Sequence, residues 1–164
     1  MREGLATAAG RLALCSPRTL RTAREITGMN FDDVAELAAD LPGVAVGVKW
    51  GHRTWMVGGK GFAWQRPFSK ADLKRFGDEP PPEGEILAVR VENLDAKDAL
   101  LEIAPPGFFT IPHFDGYAGV LIALRKARAK DVRAAILDAH RAIAAQAATS
   151  KPRARKPRRV AREA

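Results

Sequence analysis

One cysteine, Cys15, stands in 164 residues. A lone thiol forms no intrachain disulfide and builds no zinc site, and it suits a reducing, cytoplasmic setting. No apolar run approaches the ~20 residues that span a bilayer, so no membrane is expected among the partners. The phosphate-cradling Gly-x-x-x-x-Gly-Lys, Cys-x-x-Cys and His-Glu-x-x-His patterns are all missing. Gly58-Gly59-Lys60-Gly61 is a turn and not a phosphate loop, because no helix follows it directly. The chain is therefore expected to be non-catalytic and to need no cofactor. Residues 1–28 hold only Leu12-Ala13-Leu14 as an apolar centre, too short for a secretory signal. They faintly resemble an organelle transit peptide. The simpler reading is a disordered extension or an upstream start, since Met29 sits just before a good helix cap.

What is present describes a soluble globular chain: 46% apolar and 28% charged residues, enough for one domain, placed at 29–149. The net charge of +8 is unevenly spread. Residues 1–28 carry five Arg against two Glu, and residues 151–164 carry seven Lys or Arg against one Glu. The body between them holds fifteen bases and sixteen acids.

The chain is organised around residues 107–125. Two apolar runs there, 108–111 and 118–124, flank a turn-rich segment with Pro112, Asp115 and Gly116. The second run has the length and β-branching of a central strand. Upstream, Asn30, Asp32 and Asp33 open a helix whose face is Phe31, Val34, Leu37, Ala38 and Leu41, stopped by Pro42-Gly43. Val44, Val46, Val48 and Trp50 then alternate with Ala45, Gly47 and Lys49, the pattern of a half-buried strand. Glycine turns at Gly51 and at Gly58-Gly59 lead into Thr54–Val57 and Phe62–Gln65, an antiparallel meander. Ser69 and Asp72 have capping-box spacing before a short helix ended by Gly77. Leu87, Val89 and Val91 mark another strand, and Leu94-Asp95 reads as a staple and cap for a helix through Ile103. A long alanine-rich helix should run to about Ala147, with Val132, Ile136, Ala139 and Ile143 inward and His140 partly exposed. From Ser150 the composition predicts a disordered basic tail. The sum is α+β: an antiparallel meander flanked by N- and C-terminal helices.

The order of these elements, with Leu-Pro-Gly-Val at 41–44, Trp50-Gly51 and Phe-Thr-Ile-Pro-His-Phe-Asp-Gly-Tyr at 109–117, resembles the MmcQ/YjbR family over about residues 29–147. The resemblance implies a CyaY-like (frataxin-like) fold and a role in DNA binding through projecting hairpins. It designates no binding residue.

Four candidate sites follow. Lys49, Arg53, Lys60, Arg66, Lys70, Lys74 and Arg75 stand against Asp72 alone in residues 49–76, interleaved with Trp50, Trp55, Phe62 and Trp64. Such a cationic, aromatic hairpin would track phosphates and stack bases; the plainer alternative is that the indoles fill the core. The tail, with Lys151, Arg153, Arg155, Lys156, Arg158 and Arg159, reads as a nonspecific nucleic-acid arm or a solubilising end. His113 and Asp115, on an extended segment, would point the same way; with a ligand such as His52 they would make a metal or small-molecule site, and otherwise they anchor a loop. Asp33, Glu36 and Asp40 share a helix face, which suits iron delivery or an ordinary wet surface. The expectation is a monomeric or weakly associating protein that binds nucleic acid, DNA foremost, with low sequence preference. The alternatives are the His113/Asp115 module and a protein-interaction adaptor, for which no exposed apolar stripe is evident.

Overall fold

The computed structural model describes residues 28–149. The expected extension at 1–28, apart from Gly28, and the basic tail at 150–164 lie outside the described residues. Ten regular elements build the domain: α1 (Phe31–Ala39), β1 (Val44–Lys49), β2 (His52–Val57), β3 (Lys60–Gln65), α2 (Lys70–Phe76), β4 (Ile86–Arg90), α3 (Leu94–Ile103), β5 (Phe108–Phe109), β6 (Gly119–Ala123) and α4 (Ala129–Thr149). A 3-10 turn at Pro112–Phe114 joins β5 to β6. The strands form one antiparallel sheet in the order β1-β2-β3-β4-β6-β5. The α+β meander is thus present, with the 118–124 run as an interior strand paired on both sides.

The starts of α1, α2 and α3 each follow from a polar cap. Asn30 and Ser69 both close reciprocal capping boxes, with Asp33 and Asp72 reaching back to the cap N–H groups. At α3 the cap is Asn93, whose side chain accepts from the Ala96 N–H, two residues before the Asp95 expected from the sequence. Asn in place of Asp satisfies the same orphan donors.

Two cores sandwich the sheet. Trp55, Phe62, Leu87, Val89, Val120 and Ile122 meet α1 and α4 on one face. Trp64, Ile86, Ala88, Leu121 and Ala123 meet Phe114, Phe68 and Phe76 on the other. Phe62 and Trp64, two positions apart, serve opposite faces because β3 carries one extra residue against β2: Trp55 pairs Ala63 while Met56 pairs Gly61. That bulge breaks the period-2 rule and re-aims the indole of Trp64.

Three side-chain placements depart from the alternation pattern. Val46, Val48 and Trp50, expected inside, are 61%, 73% and 80% exposed. The alternation is real, but β1 is an edge strand beyond the cover of α4, which lies over β2, β3 and β4. Trp50 is not in the strand at all: it and Gly51 have φ of 53° and 80°, a two-residue turn with both residues left-handed. The indoles therefore divide, Trp55 and Trp64 filling core and Trp50 projecting into solvent. His140 is buried, not partly exposed; its Nε2 lies 2.9 Å from the Pro42 carbonyl and donates to it, tying α4 to the α1–β1 turn.

Candidate functional site

The second core does not close over the whole sheet. Two depressions, of about 390 and 840 Å³, share Trp50, Trp64 and Tyr117 in their walls and make one trough from the end of α4 to α2. Its aromatic floor is mutually braced: Trp64 stacks on Phe114 at 6.3 Å, and Tyr117 meets both edge-on at 6.2 and 5.4 Å. The distinctive Pro112–Tyr117 segment supplies His113, Phe114 and Tyr117 to this wall.

Of the seven predicted hairpin cations, four line the trough: Lys49 and Lys60 in the smaller depression, Arg66 and Arg75 in the larger. Arg53 does not. His52 and Thr54 line the trough, so the residue between them points to the opposite face, beside Val48. Lys70 and Lys74 sit on the outer side of α2, whose inner side presents Ala71, Asp72 and Arg75. Arg66 is also less free than its sequence position suggests. Its guanidinium binds the Asp72 carboxylate at 2.9 Å with only 17% of the side chain exposed. Lys49 and Lys60 reach the Gly59 and Gln146 carbonyls at 3.4 and 3.2 Å, so their ammonium groups are oriented but carry no counter-charge there.

Asp72 is the one carboxylate among the lining residues, and it is committed inward. Burial would raise its pKa. The Ser69 backbone N–H and hydroxyl, at 2.9 and 2.7 Å, together with Arg66, outweigh that and hold it down at about 2. The trough therefore presents cations without free acids between them.

Sequence reasoning missed two further basic groups. Arg90, the polar end of an apolar strand, lays its guanidinium 5.0 Å over the Tyr117 ring and donates to its hydroxyl at 3.1 Å, leaving a buried Nε with no hydrogen-bond partner. Lys97 is buried on α3, with Nζ donating to the carbonyls of Phe114 at 2.6 Å and Tyr117 at 3.3 Å. It latches the loop that forms the aromatic floor. Nothing local marks it, because its acceptors lie 17 and 20 residues ahead. Lys97→Met should cost about 1–3 kcal/mol in urea melts, the range for stranding buried carbonyls, and should change Trp64 fluorescence as the loop loosens.

His113 and Asp115 are not two positions along an extended strand, because Pro112 starts a 3-10 turn through Phe114. His113 and His52 both border the trough, whereas Asp115 does not. Among the described residues no three His, Cys, Asp or Glu side chains gather as metal ligands. Asp33 is spent on the α1 cap, where its carboxylate accepts the Asn30 N–H. Nor is any described helix long and apolar enough to cross a membrane.

The chain has relatives in sequence and a neighbour in fold. Uncharacterised proteins of Mycobacterium tuberculosis (strain CDC 1551 / Oshkosh) and Mycobacterium bovis are each 41% identical over 112 residues, covering 66% of this chain and 84% of theirs. A crystal structure of a Pseudomonas syringae protein, a structural-genomics target, superposes with a TM-score of 0.55 at 14% identity, over 70% of this chain and 99% of that one. That likeness concerns the fold alone. The YjbR family model matches residues 39–142, from the end of α1 well into α4, and the chain belongs to the YjbR family.

Proposed function

We propose that this protein binds nucleic acid with little sequence preference, holding an unpaired strand along the trough. The observation that carries the reading is the convergence of Lys49, Lys60 and Arg90 on an aromatic floor, with Arg75 held beside Asp72 at 3.6 Å and no unpaired carboxylate among them. Phosphates favour the ammonium and guanidinium rims, and base faces favour exposed Trp50 and Tyr117. The tail cations Lys151, Arg153, Arg155, Lys156, Arg158 and Arg159 add sequence-independent attraction in a cytoplasmic setting. No catalytic step is assigned.

Anisotropy titration of a labelled single strand across salt concentrations tests this. Lys49→Glu with Lys60→Glu should weaken binding at least about tenfold, while Arg53→Glu, facing away, should change it little. Deleting residues 150–164 removes seven bases and should make the single-strand salt slope shallower by up to about 5. Equal affinity for the double reversal and the wild type would refute the trough as the track. A second reading follows from the 840 Å³ volume and the two bordering histidines: a pocket for one small anionic aromatic molecule. A mononucleotide competing as well as the oligonucleotide would favour it.

A further inference from the structure

The two edges of the sheet are built differently. At β5 the edge is only two residues long, one of the ways native sheets avoid pairing with other chains. At β1 the edge is six residues with an unbroken register against β2, no proline, no bulge and no charge from Val44 to Val48. The two-residue turn makes Lys49 and His52 a hydrogen-bonded pair, so Gly47 and Ala45 also bond to β2. Val44, Val46 and Val48 then direct their N–H and C=O groups outward, and among the described residues no strand pairs with them. Their side chains share one face, on which Val46 and Val48 are largely in water.

We propose that β1 is a homodimer seam: β1 of a second copy pairs antiparallel with it about a twofold axis through Val46. The segment Val44-Ala45-Val46-Gly47-Val48 suits this because it is nearly palindromic. Val44 meets Val48, Val46 meets itself, and Ala45 meets Gly47. Every outward backbone group finds a partner, and six β-branched side chains close into one apolar stripe. No like charges face each other across the centre, and the register sets Lys49 of one copy opposite the uncharged Gly43 of the other.

The chain's own ends fit less well. The tail leaves α4 near the β2–β3 turn, where Lys60 bonds Gln146, but Pro152 and Pro157 would interrupt a ladder. Residues 1–27 join the domain across the sheet, where Gly28 and Met29 bond Ala127 and Leu124 beyond β6. The seam would replace the expectation of a monomeric or weakly associating protein without an apolar stripe. It would also put both troughs on one side of a continuous sheet, a consequence that rests on the binding reading, whereas the dimer itself does not.

Sedimentation of the full chain over a wide concentration range, with amide exchange, decides it. The wild type should reach twice 17.8 kDa and protect the Val44, Val46 and Val48 amides. Val46→Arg places two like charges face to face on the axis. It should sediment as monomer, lose that protection, and melt as the wild type does at dilutions where the wild type is also monomeric, while Val46→Ile should still dimerise. A wild type that stays monomeric throughout, or a Val46→Arg protein that dimerises as well, overturns the proposal. So does dimerisation only after removal of residues 1–27 or 150–164, since the chain's own end would then be the occupant. Loss of single-strand binding in a protein that still dimerises would count against the trough alone.

Discussion

Asp72→Ala should be the most damaging single change at the trough, lowering unfolding free energy by about 3 kcal/mol at neutral pH, the low end for breaking a buried ion pair. Two losses combine. The Ser69 backbone N–H and hydroxyl lose their shared acceptor, which removes half of the α2 capping box. Arg66, folded against the wall, and the half-exposed Arg75 both lose their counter-charge, though each is exposed enough to recover some hydration. The pH dependence carries a sign. A carboxyl held at about 2 in the folded protein, against 3.8 in the free side chain, favours the folded state above pH 4 and loses that contribution as pH falls toward 2. The loss should be about 2 kcal/mol, and the stability of Asp72→Asn should stay flatter through the same window. Urea melts at neutral pH and near pH 2 check both. Parallel acid sensitivity in wild type and Asp72→Asn would assign it to another carboxyl.

That same residue shows how much of the protein was legible beforehand. Ser69 and Asp72 are three apart before a short apolar stretch, and the spacing alone predicted the capping box. The central strand was equally readable, because an unbroken apolar run buried on both faces needs no knowledge of its neighbours. The failures share one cause. Alternation along β1 says which side chains point the same way, but not whether a helix lies over them, and α4 stops short. Charge spacing along residues 49–76 likewise says nothing of strand face, so Arg53 was grouped with Lys49 and Lys60 although it points away from them. Lys97 and Arg90 belong to the site through contacts with a loop far ahead in the chain. Contacts of that separation have no local signature.

Trp50 is where stability and binding should part. A bulky residue with positive φ costs about 1–2 kcal/mol, because Cβ crowds the following carbonyl. Burial does not offset it, since the side chain is largely in water. Asn-Gly is the favoured dipeptide for a turn with two left-handed residues, so Trp50→Asn should stabilise the protein by about 1 kcal/mol. If the indole is the stacking platform at the trough's open end, the same variant should bind a single strand roughly tenfold more weakly, at the scale of one lost base–aromatic contact. Urea melts and anisotropy on one preparation read both quantities. A less stable variant would mean the ring packs on the domain. Unchanged affinity would remove Trp50 from the binding surface and leave Tyr117 as its exposed aromatic. Gain in one and loss in the other would identify the strained hairpin tip as a feature retained for what it touches outside the chain.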